Sequence, residues 1–205
     1  MRFDVRALVI GVSLAVSGQI FAVSKDYTVD ASKSVIKWKG SKVAGPHNGT
    51  LNVKDGAVTL DGAVLKSANF TLDMASIKNL DVEGAEWKKK LEDHLKSNDF
   101  FNVAGFPTGS FKLISATPSK TAGVVDIKGD LTIKGITKPV SFPATIAVTG
   151  KTATANANLK INRLEWDIRY NSGKFFDPKQ LGDKLIYDDI ELGLELVANE
   201  VSAKK

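Results

Sequence analysis

In residues 124–134, VVDIKGDLTIK, apolar and polar positions alternate from Val125 onward. Val125, Ile127, Gly129, Leu131 and Ile133 fall on one face, and Asp126, Lys128, Asp130, Thr132 and Lys134 on the other. A repeat of two matches a strand, whose successive side chains point to opposite faces, and not a helix; the segment therefore predicts a sheet with one dry side and one wet side. Turn chemistry follows in KGITKP, and the alternation restarts with Val140, Phe142, Ala144, Ile146 and Val148. Together the two runs read as an antiparallel hairpin.

The same pattern recurs along the chain. It appears in SVIKWKG (Ile36, Trp38), NFTLDM (Phe70, Leu72, Met74), SFKLIS (Phe111, Leu113), TATANANLKI (Ala153, Ala155, Ala157, Leu159, Ile161) and DIELGLELVA (Ile190, Leu192, Leu194, Leu196). HNGTLNV and GAVTL read as two further short strands. One helix interrupts the series: residues 84–97 space Trp87, Leu91 and Leu95 four apart, with Asp81 nearby as a candidate N-cap. The predicted fold is therefore all-β with one inserted short helix, an antiparallel barrel of about eight strands, with a two-sheet sandwich as the structural alternative.

The first residues, MRFDVRALVIGVSLAVSGQIFA, have the layout of a secretory signal peptide: arginines, an apolar run from Ala7 to Val16, then small and polar residues. Residues 1–22 are read as that leader and residues 23–205 as one domain, which predicts export to the periplasm. Without Arg2, Asp4 and Arg6 the chain keeps 26 basic against 22 acidic residues, interleaved in sign. A phosphate-tracking protein needs a basic stripe, so no nucleic-acid partner is expected. The chain has no cysteine, which excludes disulfides, thiol nucleophiles and thiolate metal sites.

If the strands close, the inward list is aliphatic, aromatic and small, with three alanines on one strand and glycines at 129 and 193. Small side chains opposite large ones can simply pack a solid core. They can also leave room, since an eight-stranded barrel is near the size at which it either fills or holds one slender ligand. At about 0.8 kcal/mol per buried CH₂, each five-carbon unit of such a ligand contributes roughly 4 kcal/mol gross. Several units would offset an association cost of some 4 to 15 kcal/mol.

The apolar phase runs on odd numbers through Ile161, then on even ones through Leu164, Trp166, Ile168 and Tyr170. Either a β-bulge at Asn162–Arg163 pairs Arg163 with Glu165 or Asp167, or an unbroken strand turns Arg163 inward. In the second case its guanidinium would hold a polar ligand head by forked hydrogen bonds.

Motifs for chemistry are sparse. The two histidines, His47 and His94, have no carboxylate at ligand spacing, and neither a metal nor a cofactor is expected. Glu165 and Asp167 share a face, as do Glu191 and Glu195, and would be the acids of a glycan hydrolase. As polar positions alternating with apolar ones, they are expected in solvent. Nucleophile-elbow, Walker and GxGxxG patterns are absent.

Taken together, YTVDASKSVIKWKG, HNGTL, HLKSNDFFNVAGFPTGSF, GDLTIKGITKPVSF, INRLEWDIRY and LGDKLIYDDIELGLEL resemble, in order and spacing, the YceI-like family of bacterial envelope proteins. The resemblance covers essentially the whole predicted domain. It implies a lipocalin-like barrel and a non-enzymatic carrier of polyisoprenoid lipid, with an elongated apolar channel and a helix near its edge. His94, Leu95, Asp99, Phe100, Phe101, Phe106 and Pro107 match the family's signature after that helix, with Asn102 where an acid is expected. His47 matches the histidine of its early strand.

Face alternation and this resemblance together select a ligand site. Trp38, Phe70, Phe101, Phe111, Ile127, Leu131, Ile133, Phe142, Ile146 and Leu159 would bury the tail, and His47, His94, Arg163 and Tyr170 would meet the head. The expected partner is a polyisoprenoid or other long-chain amphiphile. A ligand-free interaction barrel is the alternative. An apolar rim or a free strand edge would serve a transient membrane-surface contact or a homodimer.

Overall fold

The structure, a computed structural model, describes residues 24–202, so the leader expected at residues 1–22 lies outside the described residues. Nine strands run in chain order: β1 (Lys25–Val29), β2 (Val35–Lys42), β3 (Gly45–Asp61), β4 (Val64–Asn79), β5 (Thr108–Pro118), β6 (Val124–Ile133), β7 (Ile136–Thr149), β8 (Thr152–Asn162) and β9 (Ile186–Glu200). The helix α1 (Ala85–Lys96) lies between β4 and β5, and a short helix α2 (Pro178–Leu181) between β8 and β9.

All pairings are antiparallel, and the order β3-β2-β9-β8-β7-β6-β5-β4 returns to β3 through a β3–β4 ladder, closing the ring. β2 sits between β3 and β9, with Ile36 opposite Leu51 on one side and Leu194 on the other. β1 continues between the same two strands, with Tyr27 opposite Val58 and Val29 opposite Ala198. The two segments therefore share one position in tandem, and the barrel has eight positions, as the alternation predicts.

Asp30 holds the break between β1 and β2. The Ser32 backbone N–H and hydroxyl donate to its carboxylate at 3.1 and 2.6 Å, and Lys33 Nζ lies 3.2 Å away. The hydrogen bond from the Ser32 hydroxyl, followed by Lys33, holds the Asp30 carboxyl down at about 2, below its usual 3.8. A carboxylate whose pKa is lowered on folding contributes stability that is present above 3.8 and lost as pH falls toward 2. Urea unfolding followed between pH 4 and 2 is expected to show a steeper acid loss for the wild type than for Asp30→Asn. Parallel curves would remove Asp30 as a contributor.

Antiparallel closure sorts the connections. The two-residue turn between β6 and β7 puts Lys134 at φ 49° and Gly135 at φ 72°, the backbone of a type I′ hairpin. Both long connections, residues 80–107 and 163–185, emerge at this end of the barrel, whereas the opposite end has only short turns at 62–63, 119–123 and 150–151.

Several expectations are corrected. HNGTLNV and GAVTL are not two strands: they are parts of the 17-residue β3. LEWDIRY is not strand at all, neither bulged nor continuous. Asn162 ends β8, its side chain accepts from the Leu164 N–H at 3.0 Å, and Arg163–Trp166 forms a 3₁₀ turn that places Asp167 at φ 56°. A change of local structure, not a bulge, therefore produces the apolar phase flip. Asp81 does not cap α1: the cap position is Gly84, with no side-chain hydrogen bond. Trp87, expected on the packed face of α1, is 64% exposed under Lys90 Nζ, which lies 4.3 Å from the ring centroid. Gly193 is on the outer wall beside Asn158 and Lys37, because the inward residues of β9 are the even-numbered ones. Gly129 does face inward, and the Phe111 ring occupies the space a side chain there would need, 2.3 Å from an ideal Cβ.

Candidate functional site

The inward faces do not fill the barrel. A cavity of about 220 Å³ runs along its interior, more than ten times the roughly 10–15 Å³ that admits one water. It is lined by Leu60, Leu65 and Ala198 toward the short-turn end, and by Ile77, Leu95, Phe100, Phe101, Arg163 and Tyr187 at the long-connection end. The stripe Ala153, Ala155 and Ala157 on β8 forms one wall. The lining also holds Phe70 on β4, Phe111 on β5 and Phe142 on β7, with ring centroids 5.9 Å apart at each step. Small residues on one strand and large ones elsewhere thus leave a void, and its apolar walls make it a poor site for water.

The predicted tail residues Trp38, Phe70, Phe101, Phe111, Ile127, Leu131, Ile133, Phe142, Ile146 and Leu159 all line this cavity. Phe100 and Phe101 reach it through a tight turn after α1. The Phe101 N–H donates to Leu95 O and the Val103 N–H to Lys96 O, while Asn102 adopts φ 44°, a left-handed conformation that asparagine tolerates better than most residues. The expected acid at 102 is therefore replaced by a residue suited to the backbone there. Sequence reasoning left Leu95, Phe100, Met74, Val53 and Tyr187 off the site. Val53 and Met74 were legible in the alternation of their strands, but Tyr187 was not.

Arg163 does point to the cavity, at 1% exposure. Its guanidinium donates to the carbonyls of Ile168 (2.7 Å), Ile186 (3.1 Å) and Tyr187 (3.2 Å), and Nη2 lies 3.2 Å from Asp188 Oδ1. Neither Glu165 nor Asp167 is its partner: Asp167 pairs with Arg169. Burial pushes the Arg163 pKa down and Asp188 pushes it back up, and an arginine stays charged at neutral pH in either case. With its fork occupied by backbone, Arg163 ties the 163–168 turn to the start of β9. Beside it Trp166 donates its indole N–H to Leu131 O at 3.2 Å, which seats that turn in the barrel end.

The other three predicted head residues do not line the cavity. His47 lies outside, its Nδ1 2.8 Å from Asp81 Oδ2, and Asp81 also accepts from the Asn48 N–H and the buried Asn79 side chain. Burial would raise the Asp81 pKa, but these hydrogen bonds outweigh it and hold it below the usual value. The cluster pins the start of the 80–107 connection onto β3. His94 and Tyr170 meet instead above the cavity end, ring centroids 4.7 Å apart and perpendicular, with the Phe100 ring 5.0 Å from His94 and 5.4 Å from Tyr170. Asp99 closes this group, 3.0 Å from His94 Nε2. It joins the two long connections over the roof that Phe100 and Phe101 form.

The acids weighed for hydrolysis face solvent: Glu191 pairs with Lys39 and Glu195 with Lys37 on the outer wall. Among the described residues, no three His, Asp or Glu side chains are placed to share a metal ion.

The YceI-like domain model matches residues 27–198. A UPF0312 protein of Pseudomonas fluorescens is 32% identical over 182 residues, which span 82% of this chain and 88% of that one. The crystal structure of Burkholderia cenocepacia BcnA is similar in fold, with a TM-score of 0.65 at 26% identity, covering 83% of this chain and 99% of that one. A polyisoprenoid binding domain from Saccharophagus degradans, implicated in plant cell wall breakdown, reaches 0.60 at 13% identity over 85% of this chain and 98% of its own, a likeness of fold alone. With the family match running from β1 to β9, this chain belongs to the YceI-like domain family.

Proposed function

We propose that the protein is an exported, periplasmic carrier that sequesters a polyisoprenoid or similar long-chain amphiphile in its barrel without transforming it. The observation that carries this reading is the apolar cavity itself. Among its described lining residues there is no carboxylate, imidazole, serine or threonine, and its one charged group, Arg163, is already engaged by three carbonyls and Asp188. The remaining polar liners are the Asn156 amide and the Tyr187 phenol, so these walls supply mainly burial and no nucleophile paired with a base. Two further points agree with the reading: a fold neighbour is described as polyisoprenoid binding, and residues 1–22 have the composition of a secretory leader.

The test is to purify the protein without detergent, extract it with organic solvent and identify the extract by mass spectrometry. One long-chain lipid per chain is expected, and the emptied protein should take up a polyprenol delivered in a small volume of ethanol. An extract no richer than a blank, with no uptake by the emptied protein, overturns the proposal.

A further inference from the structure

We infer that the long-connection end of the barrel docks on a lipid bilayer, seating the cavity mouth in the interfacial layer through exposed aromatic side chains. The inference rests on the carrier reading for its purpose: a long-chain amphiphile has negligible solubility in water, so its carrier must meet it at a membrane.

The surface makes the case independently. Among the described residues, five large aromatic side chains are exposed: Trp87, Phe106, Phe175, Phe176 and Tyr187. Topology puts all five at one end. Trp87 and Phe106 lie in the 80–107 connection, Phe175 and Phe176 in the 163–185 connection, and Tyr187 in the second residue of β9. At the short-turn end no described aromatic residue is comparably exposed. An aromatic set confined to one end is not the scatter expected of an ordinary soluble surface.

The surface is also continuous with the cavity. Tyr187 is 52% exposed and lines the cavity at the same time, which marks a mouth. On the neighbouring strand β2, Gly40 opposite Ile190 lines the cavity too, and a side chain added at Gly40 would meet nothing within 4 Å.

The chemistry selects the partner. Two of the five rings carry a cation over one face: Lys90 Nζ is 4.3 Å from the Trp87 centroid, and the Arg169 guanidinium is 4.7 Å from that of Phe175. Amphipathic rings with long cationic side chains beside them suit the headgroup layer, where the ring meets the acyl boundary and the cation stays with the phosphates. The connections at this end, 43–44, 80–107, 134–135 and 163–185, hold ten basic and ten acidic residues. With no net charge to attract an anionic surface, apolar insertion carries the contact.

The test uses residues 23–205, the chain without the segment read as a leader, with its Trp87→Ala/Phe175→Ala/Phe176→Ala and Trp87→Phe variants, each checked for native circular dichroism. Vesicles of phosphatidylcholine alone, and of phosphatidylethanolamine with phosphatidylglycerol, are floated with protein at 0.1 and 0.5 M salt, and part of the acyl chains are brominated. The wild type is expected to show bromine quenching that Trp87→Phe lacks, on both compositions and little changed by salt. The triple variant should bind at least tenfold more weakly, because the buried apolar area sets this affinity.

Equal flotation of the folded triple variant, no quenching attributable to Trp87, or binding confined to anionic vesicles and abolished by salt would each overturn the docking. So would a protein that ignores vesicles but uses this face to hold another protein. In each case uptake by the emptied protein of a polyprenol delivered from ethanol, with no vesicles present, tells a failed dock from a failed carrier.

Discussion

Replacing Arg163 by methionine is expected to destabilise the domain by about 3–5 kcal/mol, the cost typical of breaking a buried ion pair by removing one partner. In a domain of this size that lowers Tm by roughly 6–20 °C. The physical reason is what is left behind. Asp188 becomes a largely shielded carboxylate without its cation, and the carbonyls of Ile168, Ile186 and Tyr187 lose their shared donor. Arg163→Lys should recover only part of the loss, because one ammonium cannot reproduce a planar fork that reaches three carbonyls. Arg163→Met with Asp188→Leu should also recover part, since it removes the stranded charge as well. Thermal unfolding of the four proteins forms the check. A single methionine variant within about 1 kcal/mol of wild type would falsify the structural role assigned to Arg163.

Filling the cavity from the alanine stripe should have the opposite balance, with large loss of ligand and little loss of fold. Ala155 lines the cavity from β8, paired with Ile146 on β7 and Leu196 on β9. An indole at that position would occupy space that the proposed tail needs. Displacing a single five-carbon unit removes roughly 4 kcal/mol of gross burial, close to a thousandfold in affinity. Ala155→Trp is therefore expected to yield little or no extractable lipid while keeping the strand spectrum of the wild type. Thr154→Trp, the neighbouring position on the opposite face of β8, serves as the matched control and should retain its lipid. Equal lipid recovery from Ala155→Trp and the wild type would mean that the ligand lies elsewhere or that the tail does not pass this point.

The two substitutions separate what the residue pattern could reveal from what it could not. Ala155, Leu131 and Phe142 were legible as inward because strand geometry alone assigns faces: once one residue of a strand is known to point in, every second one follows. Arg163 was not legible in the same way. Its phase conflict was visible, but both readings of it assumed that the strand went on, and the partners that settle its role lie at Ile168 and at 186–188. Motif position likewise placed His47, His94 and Tyr170 near one another in expectation. The structure sends His47 to Asp81 on the outer surface and sets His94 edge-on to Tyr170 above the roof. No local rule fixes where a side chain on a connection as long as 80–107 or 163–185 will come to rest.

The amino-acid sequence by itself determined that this chain makes antiparallel strands with one apolar, small-residue-rich face, because period-two alternation is a property of the backbone and needs no partner to be read; the β3–β4 ladder of the tertiary structure decided for a closed barrel over a two-sheet sandwich. Only the tertiary structure decided that the inner face stays hollow, that Arg163 is consumed by backbone carbonyls and Asp188, and that the exposed aromatic residues gather at the mouth. Each of those outcomes depends on distances between strands and connections far apart in the chain, which closure of the ring sets.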